Sequence, residues 1–361
     1  MNDFNQLGIM EVDHVEFAVG NLEQKSALFY SLGFERMGYR EITERGLRSL
    51  LLGQGKIWIV LTHSTLKSDR ACQYVANHGD GILTIAFSCR NAVTALETTV
   101  ARGAALTESP RKIARDFGQL ERASIAGPGD VHHVFLQRTG ALFDDGFNEP
   151  VREAPPGFGL GRIDHLTVNV EKGRMKDWAD FYAKVFGFKN SRTFDIRTDR
   201  TGLKSFVMES PDGRIKIPIN EPTEDASQIQ EFLNIHHGPG VQHMALSTPD
   251  ILQSVKKLRG LGIAFLEVPD TYYEAVTARV TQISAQIPEL RDQRVLADGD
   301  ASGYLLQIFT QNLVGPFFLE FIQREGNDGF GEGNFQALFE AIELDQERRG
   351  VLTARQTSPA Q

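Results

Sequence analysis

Val12-Asp13-His14-Val15-Glu16-Phe17-Ala18-Val19 and Ile163-Asp164-His165-Leu166-Thr167-Val168-Asn169-Val170 are one strand pattern written twice. Each copy alternates branched apolar with polar residues and opens on the same Asp-His pair, which reads as a β-strand. A self-similar stretch of this kind sets the architecture before any motif is weighed. In both copies the next stretch has helical character and ends in a Gly-Phe corner, Gly33-Phe34 and Gly187-Phe188. Glycine just past the last apolar turn predicts a left-handed C-cap.

Further along, Gly81-Ile82-Leu83-Thr84 is echoed by Gly240-Val241-Gln242-His243, and His133-Val134-Phe135-Leu136-Gln137-Arg138 by Leu319-Glu320-Phe321-Ile322-Gln323-Arg324. The chain therefore predicts an α+β protein in which β-α-β-β-β modules occur twice in each half. The offset between matched residues grows from 151 to 186, so the second half carries insertions, most of them between Gly262 and Gly303. Insertions of this kind are expected as loops near a site. Pro and Gly gather over residues 148–161, which places a linker there and predicts domains at 1–150 and 151–361.

A formal net charge of −9 without any Lys/Arg run argues against nucleic acid. No stretch approaches the ~20 apolar residues of a membrane span, and the first residues lack a secretory pattern, so a cytoplasmic protein with no membrane partner is expected. Cys72 and Cys89 have no metal-site spacing and read as reduced thiols.

Aligning the halves shows which histidines matter. His165 is matched by His14, but His243 is matched by Thr84 and Glu320 by Val134. Two imidazoles and one carboxylate on a single metal leave open positions for substrate and dioxygen. The second half has all three of these residues, and the first half has one. The three are 78 and then 77 residues apart, so only the fold can bring them together. Glu320 stands inside the apolar run from Val314 to Ile322, where a carboxylate is costly unless paired or metal-bound. Strand alternation predicts that it points inward while Leu319 and Phe321 point away. His63, His78, His132 and His133 lie in the half that lacks the set. His236 and His237, in a loop-like His-His-Gly-Pro-Gly segment, read as structural or solvated.

With these residues in hand, the duplicated modules resemble the vicinal oxygen chelate superfamily and its fold of two open curved barrels with a C-terminal helix. Within it, the chain resembles the 4-hydroxyphenylpyruvate dioxygenase family. The resemblance runs nearly the whole chain and is densest after residue 160, in stretches such as Pro218-Ile219-Asn220-Glu221-Pro222, Gly240-Val241-Gln242-His243, Leu305-Leu306-Gln307-Ile308-Phe309 and Gly329-Phe330-Gly331-Glu332-Gly333-Asn334-Phe335. It implies one iron(II) per chain on His165, His243 and Glu320, a catalytic second half, and a first half without metal. It implies a pocket of Ser205, Asn220, Gln228, Gln242 and Gln307 with Phe309, Phe318, Phe330 and Phe335, of which Asn220, Gln242 and Gln307 would act in catalysis. The reaction implied takes 4-hydroxyphenylpyruvate, a small aromatic 2-oxo acid, and dioxygen to homogentisate and carbon dioxide, in tyrosine and phenylalanine catabolism, by a homo-oligomer.

A helix is expected from Asn334, as N-cap, to Arg349, with a stripe of Phe335, Leu338, Phe339 and Ile342. Only Phe335 of that stripe is expected to face the pocket, and the helix to close it. Two other readings stand beside this one. Hydroxymandelate synthase shares the fold and substrate, with residue 318 expected to decide between them, and a metal-free binding protein of the same superfamily is the reading from another class.

Overall fold

The computed structural model describes residues 7–197 and 201–350. The first half contains β1 (Ile9–Ala18), α1 (Leu22–Ser31), β2 (Glu35–Ile42), β3 (Leu47–Gln54) and β4 (Ile57–Ser64). These are followed by α2 (Arg70–His78), β5 (Gly81–Cys89), α3 (Ala92–Ala101), β6 (Leu106–Arg115), β7 (Gly118–Ala126) and β8 (His132–Gly140). The second half repeats the plan with β9 (Ile163–Asn169), α4 (Met175–Phe181), β10 (Lys189–Arg197), β11 (Gly202–Glu209), β12 (Lys216–Pro222), α5 (Gln228–His236), β13 (Gly240–Ser247) and α6 (Ile251–Gly260). It then departs from the plan with α7 (Asp270–Arg279) and α8 (Ile287–Gln293), and closes with β14 (Leu296–Asp300), β15 (Gly303–Phe309), β16 (Phe318–Glu325) and α9 (Phe335–Arg348).

Each half forms one curled eight-stranded sheet. The orders are β2-β3-β4-β1-β5-β8-β7-β6 and β10-β11-β12-β9-β13-β16-β15-β14, the same path twice. In both sheets the two modules join through an antiparallel pair at the centre, β1 with β5 and β9 with β13. The predicted corners form as expected: Gly33 and Gly187 adopt φ of 87° and 74°, and the amide of Phe34 returns to the Phe29 carbonyl.

Register agrees with the self-alignment of the sequence. Ala245 lies opposite both His165 and Glu320, and Ala86 lies opposite both His14 and Val134. Residues 148–162 carry no helix or strand. Phe17 of β1 packs edge-on to Phe317, and the apolar core runs continuously through both halves.

Three expectations need correction. The insertion between Gly262 and Gly303 is not loop: it folds as α7, a 3-10 turn and α8, because Tyr273, Val276, Ile283 and Leu290 supply a buried face. Asn334 does not cap α9. Its residue ends a 3-10 turn, Glu332–Asn334, and its carboxamide oxygen accepts from the Tyr272 hydroxyl at 2.6 Å and Arg279 at 3.0 Å. His236 is not in a loop; it ends α5 and is buried, stacked on His78 and Phe232, so of its two readings the structural one holds. The side chains of Leu338 and Phe339 lie outside the described residues.

Candidate metal centre

Three neighbouring strands build the centre. β9 supplies His165, β13 supplies His243 and β16 supplies Glu320, each on the concave face because strand side chains alternate. Leu319 and Phe321 point the other way and are fully buried. One nitrogen from each imidazole and one Glu320 oxygen lie within 4.8 Å of one another. His165 Nε2 is 3.1 Å, and His243 Nε2 3.7 Å, from Glu320 Oε2. Donors of one octahedral ion at ~2.1 Å would lie about 3 Å apart, so the set is close to that spacing.

The ring orientations are fixed from behind. His165 Nδ1 donates to Asp164 at 2.9 Å, and Asp164 is gripped by both arms of Arg324 at 2.8 and 2.9 Å. This turns His165 Nε2 toward Glu320. His243 Nδ1 reaches Gln242 Oε1 at 3.3 Å, while the Thr167 hydroxyl lies 2.8 Å from Nε2. Phe318 stacks on His243, its centroid 4.8 Å away at an 18° tilt, and Phe330 meets His165 edge-on at 5.3 Å.

The electrostatics of the protein alone describe a site short of one positive charge. Burial disfavours a charged His165, but Glu320 and the bonds to Asp164 and Glu320 outweigh it and raise the imidazole to about 9. Burial, then the neighbouring His165, pushes His243 well below the ordinary histidine range. Burial would raise Asp164, yet Arg324 and His165 hold it well below the usual carboxylate range. Glu320 and Asp164 both favour positive charge at His165, the charge a divalent cation would supply once the imidazole bound it as a neutral ligand. The donor set and its backing fit a non-haem metal of the two-His, one-carboxylate type.

Around the centre, one cavity of about 90 Å³ is lined by every residue that the sequence reading named: the three donors, the five polar residues and the four phenylalanines. Asn220 is not a turn residue but sits within β12, and its amide donates to Asn169 at 3.3 Å. Gln307 is 1% exposed, and its Oε1 has no hydrogen-bond partner among the described residues. Gly331, at φ 74°, lets the backbone ride over that amide; a Cβ there would lie 2.0 Å from Oε1.

Sequence reasoning missed the walls Phe194, Ile196, Leu203, Val207 and Pro218, which are ordinary apolar residues until the sheet curls, and Ile342 of α9 also faces the cavity, against the expectation that Phe335 alone of its stripe would. It also missed Thr167 and Arg324. Arg324 did carry a signal, because the Gln-Arg ending of β16 repeats that of β8, where Arg138 grips Asp13 beside His14.

Known proteins resemble the chain in both halves. The model of the hydroxyphenylpyruvate dioxygenase N-terminal domain matches residues 4–147, and that of the glyoxalase, bleomycin resistance protein and dioxygenase superfamily matches 162–308. The chain is 41% identical to hemolysin VllY of Vibrio vulnificus, covering 96% of this chain and 98% of that one. It is 40% identical to 4-hydroxyphenylpyruvate dioxygenase of Pseudomonas aeruginosa, over 96% and 97%. Among solved structures, a mutant of 4-hydroxymandelate synthase from Streptomyces coelicolor superposes with a TM-score of 0.82 at 30% identity, covering 94% of this chain and 100% of that one.

Proposed function

Because this chain belongs to the 4-hydroxyphenylpyruvate dioxygenase family, we propose that it is a dioxygenase that converts 4-hydroxyphenylpyruvate and dioxygen to homogentisate and carbon dioxide, with iron(II) held by His165, His243 and Glu320. The observation that carries this reading is the two-His, one-Glu cluster, with His165 and Glu320 buried, opening onto an aromatic cavity with an amide oxygen unpartnered among the described residues. Iron at this position would chelate the 2-oxo acid side chain and activate dioxygen next to it.

The protein's own part is to hold and shield. Phe309, Phe318, Phe330 and Phe335 supply apolar walls for a phenyl ring. Gln307 Oε1 is suited to accept a hydrogen bond from the ring hydroxyl, and Ser205, Asn220, Gln228 and Gln242 add polar contacts that fix orientation. Phe335 and Ile342 bring α9 over the cavity, where it excludes water. The cavity is small, so α9 is expected to move for entry. Tyr272 and Arg279 anchor its base through Asn334, which gives the helical insertion its purpose. In this reading residues 1–150 and 151–361 are the two domains, and only the second is catalytic.

The test is anaerobic loading with iron(II), then 4-hydroxyphenylpyruvate and air, with oxygen uptake followed and products separated. Homogentisate matching the oxygen consumed, and absent in Glu320→Ala, is the expected result. The likeness to 4-hydroxymandelate synthase favours a second reading, oxidation at the benzylic carbon. Hydroxymandelate as the product would establish it, and no oxygen uptake would overturn both.

A further inference from the structure

The first half has lost the metal set, yet its concave face is not packed shut. A cavity of about 240 Å³ remains at the position of the catalytic pocket. Strand register maps one onto the other. Arg40 pairs with Ser49 and Ser49 with Thr62, as Phe194 pairs with Ser205 and Ser205 with Asn220. Arg122 faces Leu136 on β8 as Gln307 faces Ile322 on β16. Arg70 opens α2 as Gln228 opens α5. Three residues of the catalytic lining, one aromatic and two amides, are thus replaced by arginine.

Loss of function alone does not account for this lining. Apolar side chains of equal volume usually serve stability at least as well as buried charges. Most of the charges are paired: Arg40 with Glu16 at 2.9 Å, and Arg122 with Asp144 at 2.8 Å. Arg70 is the exception. Its guanidinium donates to the carbonyls of Leu83 and Asp130 and lies 3.4 Å from the Thr84 hydroxyl, and among the described residues it forms no ion pair. Burial pushes it down to about 10 despite the attraction of Glu16. Arg122 Nε makes no hydrogen bond among the described residues but forms an ion pair with Glu108 at 3.2 Å. Ser124 and His132 line the same space. Burial, then Arg70, lowers His132 to about 4, which keeps it neutral.

We propose that this cavity is a second binding site, separate from the metal centre, which takes a small oxyanion, a carboxylate or a phosphate, on Arg70, with Ser124 and His132 beside it. The volume falls just under the ~300–1,000 Å³ of drug-sized pockets, which suits a compact ligand. Arginine is the side chain whose planar fork matches such groups. The carbonyls of Leu83 and Asp130 hold the Arg70 guanidinium in place before the anion arrives.

The test titrates the metal-loaded full chain with inorganic phosphate and, separately, with malonate, followed by calorimetry at constant ionic strength set with chloride. Saturable one-to-one binding of either probe is expected, and the preferred probe assigns the class. Arg70→Gln, which installs the residue type of the catalytic half, should weaken it at least about tenfold. Ser124→Ala should weaken it about two- to fivefold, and it decides the matter if the arginine variant does not fold. Binding should persist in Glu320→Ala. Failure of both probes, undiminished affinity in Arg70→Gln or, where that variant does not fold, in Ser124→Ala, or loss of binding in Glu320→Ala would overturn the proposal.

Discussion

The two curled sheets share strand order, register and even the device that aims a histidine, yet they enclose different chemistry. In the first, Arg138 grips Asp13, which holds His14; in the second, Arg324 grips Asp164, which holds His165. The neighbours then diverge. Thr84 and Val134 stand where His243 and Glu320 stand, and arginines replace the amide and aromatic lining. A backbone frame can therefore be duplicated intact while two side chains per copy decide whether it can hold a metal.

Glu320→Ala should break the comparison most severely, because it removes from the second half what the first already lacks. Turnover should fall by more than the ~10–100-fold that outer-sphere changes cost, together with bound iron, as read by metal analysis and oxygen uptake. Retained iron and activity would remove Glu320 from the set. Next comes the paired substitution of the aiming carboxylates. Asp164→Asn should lower metal affinity about 10–100-fold, whereas Asp13→Asn should leave it unchanged. Competitive chelator titration would measure both, and equal effects would mean that the first half shares in the site.

Phe318 has His132 as its counterpart and stacks on His243. Phe318→Val should lower kcat/KM for homogentisate formation about tenfold and divert part of the product to hydroxymandelate. An unchanged product ratio by chromatography would show that this wall does not steer the oxidation.

The last effect, on stability and not on turnover, concerns the seam between the halves. His133 donates or accepts at the Tyr182 hydroxyl, 2.9 Å away, and His236 does so at Tyr74, 3.0 Å away. Burial lowers His133 to about 3 and His236 to about 4. An unfolded histidine titrates near 6.5, so below that pH the unfolded chain binds protons that the folded one refuses, and stability rises with pH. The contribution should be complete above about pH 6.5 and fade toward pH 4, at about 2 kcal/mol per residue by pH 5. Thermal unfolding of metal-free His133→Gln and wild type at pH 7.5 and 5 checks this. The variant should lose less between the two, and an equal loss would show that His133 is not the acid-sensitive group.

Much of this was legible before any fold was known. The repeated Asp-His strand, the Gly-Phe corners and the echo of Gly81 in Gly240 carry the modules, because strand and corner rules act over a few residues. The isolated Glu320 in an apolar run marked itself. Phe194, Leu203 and Val207 did not, since an apolar strand residue looks the same whether it faces a core or a cavity. Nor did the insertion after Gly262 show its use, because the grip of Tyr272 and Arg279 on Asn334 spans some sixty residues of sequence.

The sequence by itself determined the duplication, the strand periodicity, the candidate metal-donor types and the half that holds them, all of them consequences of local pattern and of one copy compared with the other. Only the tertiary structure decided that three distant strands bring their donors within 4.8 Å. It also decided that the first half stays hollow and that its arginines converge on the hollow. The physical reason is curvature: alternation assigns a side chain to a face, but the curl of the sheet determines what that face encloses.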